Sequence, residues 1–136
     1  MDNLWTSTYA DGSKKLNGVL SPNDNLARAI LQSVSDNGGA LPVVTGQDSE
    51  EESVKSIMAG QQYSSIYKDT RALVAQAIKM TQQLQKGETV DVNDTKSYDN
   101  GSKIVPSFLL PPQIVTKENA AEVYKDNPTL FPLTQG

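Results

Sequence analysis

Residues 43–52 read VVTGQDSEEE: an apolar pair, a threonine, a glycine, and then an aspartate at the mouth of a run of acids. Together with Leu41 and Pro42 the first residues form a short apolar run, which predicts a strand over 41–45. Ser49 followed three residues on by Glu52 predicts a capping box that opens a helix, with Val54, Ile57 and Met58 turned inward and Gly60 as its stop. A strand that passes through a glycine into a helix start is the joint of an α/β unit. Asp48 sits in that joint, where it can cap the helix, do chemistry or hold a polar ligand.

The flanking sequence repeats the pattern. Residues 16–20 predict a strand, and Asp24 is the expected cap of a helix whose apolar positions are Leu26, Ile30, Leu31 and Val34, ended by Asn37, Gly38 and Gly39. Downstream, residues 64–67 predict a third strand. Asp69 or Thr70 then caps a long helix with Leu73, Ala77, Met80 and Leu84 on one face and Gly87 at its end. Three strand–helix alternations predict an α/β fold with a parallel sheet and flanking helices, in which ligands gather beyond the carboxyl ends of the strands. Asn23, Asp48 and Lys68 each lie just after a predicted strand.

Beyond residue 87 the pattern weakens. The turn signal 99–102, DNGS, flanked by 96–98 and 104–105, predicts a hairpin with short strands. Pro106, Pro111 and Pro112 predict an extended stretch without regular central strands, followed by a brief helix over 118–125. Residues 1–9, with Leu4, Trp5 and Tyr9, form an amphipathic helical pattern. Trp5 is assigned to packing rather than to stacking on a ligand, because it precedes the first strand.

Composition removes whole classes of chemistry. The 136 residues contain no histidine and no cysteine, which excludes disulfides, zinc thiolate sites, histidine bases and Ser-His or Cys-His pairs. A net charge of −4, with 12 basic residues scattered along the chain, offers no footprint for a nucleic-acid backbone. No apolar run approaches the roughly 20 residues needed to span a bilayer, and no basic and apolar leader opens the chain. Neither a cofactor nor a metal is expected. Glu50, Glu51 and Glu52 are read as first-turn acids favoured by the helix dipole.

Five motifs, SPND (21–24), VVTGQDSE (43–50), IYKDTR (66–71), YDNG (98–101) and VPSFLL (105–110), occur in an order that resembles the C-terminal part of periplasmic sugar-binding proteins of ABC importers. The similarity is to the xylose-binding and ChvE-like multiple-sugar-binding receptors and runs from about Leu16 onward. It implies a periplasmic-binding-protein-like fold, here an incomplete, C-terminal fragment of a two-lobe receptor. Residues 1–68 would be part of the C-terminal sugar-binding lobe. Residues 69–136 would be a hinge-crossing segment, with long helix, hairpin and extended tail, that completes the other lobe.

The resemblance further implies that Asn23 hydrogen-bonds sugar hydroxyls, that Asp48 accepts from two of them, and that Lys68 is a cationic donor at the hinge. A carboxylate, an amide and an ammonium suit the adjacent hydroxyls of a pentose or hexose. The implied partners are a monosaccharide, the ABC permease subunits for a full-length receptor, and a second copy of this chain where the long helix lacks its native cover. The implied location is periplasmic or extracytoplasmic for the parent receptor. Three other readings compete: a sugar-sensing domain of a transcription regulator of the same fold, an enzyme built on Asp48 and Lys68, and a remnant that binds nothing. No helix-turn-helix precedes the motifs, and no nucleophile elbow or phosphate loop accompanies them.

Overall fold

The computed structural model describes residues 1–136, and they form two compact units. The first is Met1–Tyr67 together with Gln113–Gly136, and the second is Lys68–Pro112. Of the segment 69–136, residues 69–112 lie in the second unit and 113–136 in the first. The reason is strand pairing and core filling, since Gln113–Val115 adds to the sheet and Tyr124 and Leu130 enter the core beyond it.

In the first unit, β1 (Gly18–Val19) pairs in parallel with β2 (Val43–Val44), Gly18 opposite Val43. Gln47 then bridges in parallel to Ile66 of β3 (Ser65–Tyr67), and β3 pairs antiparallel with β4 (Gln113–Val115). These links give the order β1-β2-β3-β4. The parallel alternation matches the sequence reading, whereas β4 was not foreseen among the prolines; Pro111 and Pro112 end just before it, where a missing N–H breaks no ladder bond. The regular strands are shorter than the apolar runs, but single bonds extend the pairing, such as Val43 N to Asn17 O (3.0 Å), Thr45 N to Val19 O (3.2 Å) and Ile66 N to Gly46 O (3.1 Å).

α1 (Asp2–Thr8) buries no residue, whereas α2 (Asp24–Asp36) and α3 (Glu51–Met58) cover this sheet by burying one stripe each. α2 buries Asp24, Ala27, Leu31 and Val34. α3 buries Ser53, Val54 and Ile57. Ala27 and Leu31 pack with Val44 in one cluster. Val54 packs with Tyr67, Val115, Ala120, Tyr124 and Leu130 in the other, so that the tail supplies most of the larger core. The predicted helix over 118–125 forms as the single turn α5 (Ala120–Val123), and a 3₁₀ turn follows over Phe131–Thr134. The outer edge of the Trp5 indole lies against Gly39, just before β2; a β-carbon there would come within 2.1 Å of the ring. Its ring is 5.8 Å from that of Tyr9, which supports packing rather than ligand stacking.

The second unit is built differently. α4 (Thr70–Gln85) is capped by Asp69, whose side chain accepts from Arg71 N at 3.0 Å, and it ends before Gly87 at φ 69°. Both ends match the sequence reading. None of its 16 residues is buried. The hairpin signal yields a tight turn instead of a ladder: Asp99 bridges Ile104, with Val105 N donating to Tyr98 O (2.7 Å), and no regular strand forms on either side. Asp94 bridges Ser107 in the same antiparallel sense. No helix of the chain is long and apolar enough to cross a membrane.

Candidate functional site

Two of the three residues singled out by sequence stand on neighbouring loops at the carboxyl ends of β1 and β2. Asn23 is half-buried and forms the N-cap of α2, its Oδ1 accepting from Leu26 N at 2.9 Å. The cap is thus Asn23, not the expected Asp24, which falls inside the first turn. Asn23 keeps its amide nitrogen, a double donor, while Oδ1 is engaged by the helix. The next residue ties the two loops together: Asp24 N donates to Gln47 O at 2.9 Å.

Asp48 is exposed and sits at φ 99°, followed by Ser49 at φ 53°. Side chains with a β-carbon avoid this left-handed region, and such a conformation costs on the order of 1 kcal/mol or more per residue, supplied by the surrounding structure. The surroundings are explicit. Asp48 N donates to Ile66 O (2.9 Å), Ser49 N to Ser65 Oγ (3.0 Å) and Glu50 N to Asp24 Oδ2 (2.9 Å), while Ser49 Oγ accepts from the Tyr124 hydroxyl (2.7 Å).

The expected capping box is therefore absent. Glu50 is the N-cap of α3 and makes no side-chain cap bond. Ser49 is turned away by its left-handed backbone and bonds to Tyr124, and Glu52 pairs with Lys55 at 2.6 Å. Glu50 instead reaches across to α2, with Arg28 at 2.7 Å and Asn25 at 3.1 Å. First-turn acids Glu51 and Glu52 still complement the helix dipole.

The feature that sequence reading missed is the role of Asp24. Its carboxylate is fully buried and accepts from Glu50 N, from Gln62 Nε2 (3.0 Å) and from Ser65 Oγ (2.9 Å). Burial raises its pKa above the ordinary aspartate value, opposed by the Glu50 amide and by the Gln62 and Ser65 bonds. Gly46 makes room for it: a β-carbon there would stand 2.0 Å from Asp24 Oδ1. The signal available in sequence was a set of polar residues, Gln62, Ser64 and Ser65, at positions that the structure buries. Tyr124 completes the surroundings. It is fully buried, edge-on to Tyr67 with centroids 5.1 Å apart, and burial pushes its hydroxyl pKa up to about 12.

Lys68 is the first residue of the second unit and is exposed. It precedes Asp69, whose carboxylate is held below the usual range chiefly by the Arg71 side chain, 2.8 Å away. The geometry of the first unit does not by itself define catalysis. An exposed carboxylate and an amide on adjacent loops, fixed by bonds beneath them, form a polar recognition surface at the carboxyl edge of a parallel sheet.

That combination is an α/β lobe with a polar surface at the carboxyl ends of its parallel strands. The family described as the periplasmic binding protein domain matches residues 1–89, and the chain belongs to it. The chain is 49% identical over 128 residues to the multiple sugar-binding periplasmic receptor ChvE of Rhizobium radiobacter, an alignment covering 90% of this chain and 36% of that one. It is 44% identical to the multiple sugar-binding periplasmic protein SbpA of Azospirillum brasilense, covering 88% of this chain and 34% of the relative. The crystal structure of an ABC transporter solute binding protein from Clostridium phytofermentans with bound β-D-glucose superposes with a TM-score of 0.87 at 40% identity, covering 98% of this chain and 42% of that one. The chain thus spans about a third of the length of the curated relatives that it matches.

Proposed function

We propose that this chain contributes monosaccharide contacts to the substrate-binding component of an ABC sugar importer, with Asp48 as the principal hydroxyl acceptor and Asn23 as its neighbour. The observation that carries this reading is the backbone of Asp48. An exposed aspartate held at φ 99° by a set of buried bonds is a strained arrangement that a helix cap does not require, since the caps at Asn23 and Asp69 form with ordinary backbones. A carboxylate so placed accepts two charge-assisted bonds from adjacent sugar hydroxyls, and the free amide nitrogen of Asn23 donates to a hydroxyl oxygen. Lys68 is proposed as a third contact on its motif, YKD, alone. The names of the relatives, sugar-binding periplasmic proteins and a glucose-bound solute receptor, support the ligand class.

In this reading the chemistry is binding rather than catalysis, and the site is periplasmic and serves the permease subunits of the importer. The ligand is a pentose or hexose. The apolar positions of α4, with Leu73 and Leu84 more than half exposed, support self-association of the isolated chain, which light scattering would detect as a mass above the monomer's.

Isothermal titration calorimetry of the 136-residue chain with D-glucose, D-xylose, D-galactose and L-arabinose tests the assignment. Saturable heat with at least one sugar, lost in Asp48→Ala, is the expected result for a working site. Binding that persists unchanged in Asp48→Ala would overturn the role given to that carboxylate.

A further inference from the structure

Asp24 lies next to one proposed sugar contact and beneath the other, yet it is fully buried and touches no solvent. A buried carboxylate needs several donors to offset its desolvation, and here the donors are drawn from the segments that shape the site. Its Oδ2 takes the amide of Glu50, two residues after Asp48. Its two oxygens lie 2.9 and 3.0 Å from Ser65 Oγ. That hydroxyl has one proton to give and a lone pair to spare, and the lone pair takes the amide of Ser49, one residue after Asp48. Gln62 Nε2, at 3.0 Å from Oδ1, closes the set and also donates to Ser64 O at 3.0 Å. The amide of Asp24 itself donates to Gln47 O, one residue before Asp48.

The carbonyl of Gln47 and the amides of Asp48, Ser49 and Glu50 are thus all anchored, and all but the Asp48 amide lead to Asp24, directly or through Ser65. We infer that Asp24 is the positioning residue of the sugar site: it holds Gln47, Ser49 and Glu50 so that Asp48 stays in the left-handed conformation, and it sets the spacing between the Asn23 and Asp48 loops. It acts through those amides and touches no sugar. An uncharged core would serve stability as well or better, because a buried, ion-forming side chain is costly; what the carboxylate adds is a fixed direction for two consecutive amides. Gly46 serves the same end by leaving space for Oδ1, since a β-carbon there would collide with it.

This inference rests on the sugar-binding reading for its purpose but not for its test. Amide hydrogen exchange, followed residue by residue by NMR on the 136-residue chain, reports the anchors directly, without ligand. In Asp24→Asn the amides of Ser49 and Glu50 should exchange about tenfold faster or more, while those of Ala27–Val34 keep their rates. Ser65→Ala keeps the charge and the fold and should release Ser49 more than Glu50, so it decides the matter if Asp24→Asn fails to fold. Unchanged exchange at Ser49 in Ser65→Ala, or at both amides in Asp24→Asn, would overturn the inference. D-glucose calorimetry on the same variants separates the two claims. A wild-type chain that binds no D-glucose refutes the functional reading and leaves the exchange result standing. A binding wild type whose dissociation constant is unmoved by faster exchange at Ser49 and Glu50 refutes the positioning role.

Discussion

α2 and α4 both carry apolar residues at helical spacing, more sharply segregated in α2, but meet different fates. α2 buries Ala27 and Leu31 against Val44, buries Val34 as well, and its first turn is welded to the sheet by Asp24. α4 is longer, equally well capped, and buries nothing; Leu73, Val74, Ile78 and Leu84 are each more than half exposed. Caps and spacing therefore predict that a helix exists and say little about what it stabilises. Most helical stability comes from covering the apolar face, and only α2 has its cover within the described chain.

The contrast can be broken most directly by matched truncations. Leu31→Ala should cost about 3 kcal/mol by urea unfolding, whereas Leu84→Ala, at 67% exposure, should cost no more than about 0.5 kcal/mol. Equal losses would mean that α4 is covered in solution, and light scattering would say whether a second copy covers it. Gly46→Ala should cost about 2 kcal/mol or more, because its β-carbon must displace either Asp24 or Gln62. The amides of α4 should also exchange faster than those of α2, the difference reporting local opening rather than global unfolding.

A pH series sharpens the same comparison at the Asp24 end. Its folded pKa is raised, so the folded chain holds this proton to higher pH than the unfolded chain does. The stability that this group contributes is therefore present below the ordinary aspartate pKa and lost as pH rises through the elevated value. The stability of the wild type minus that of Asp24→Asn should fall over that window; a flat difference would show that the carboxylate's burial is relieved. At Asp48 a gain rather than a loss is expected. Replacing it by glycine removes the left-handed penalty and should raise stability by about 1 kcal/mol in thermal unfolding while removing sugar binding, which separates the strain of the site from its use.

Much of the first unit was legible because its physics is local. The helix stop at Gly60, the inward places of Leu31 and Val34 in α2, and the order of strands and helices follow from spacing and backbone preference, whereas Leu26, expected on the same stripe, is exposed and Ala27 is buried in its stead. The positions of Asn23 and Asp48 after strands were legible for the same reason. What was not legible depends on long-range pairing. The capping box at Ser49 failed because Tyr124, 75 residues away, takes the serine hydroxyl, and the amide of Glu50 is claimed by Asp24. The strand at Gln113–Val115 is illegible because the prolines before it argue against a strand, while the edge of β3 supplies its partner. Asp24 itself reads as a helix cap until the polar residues 62–65 arrive beside it.

The close contact between Trp5 and Gly39 has an optical consequence. Trp5 is the sole tryptophan of the chain, and it rests at the strand-entry side of β2, whereas Asn23 and Asp48 follow the strands at their exits. Its emission should therefore report the docking of α1 and stay dark to sugar at Asp48, so a silent fluorescence titration would carry no information about the ligand. Gly39→Ala, by lifting the indole off the backbone, should shift that emission to the red without touching the recognition surface.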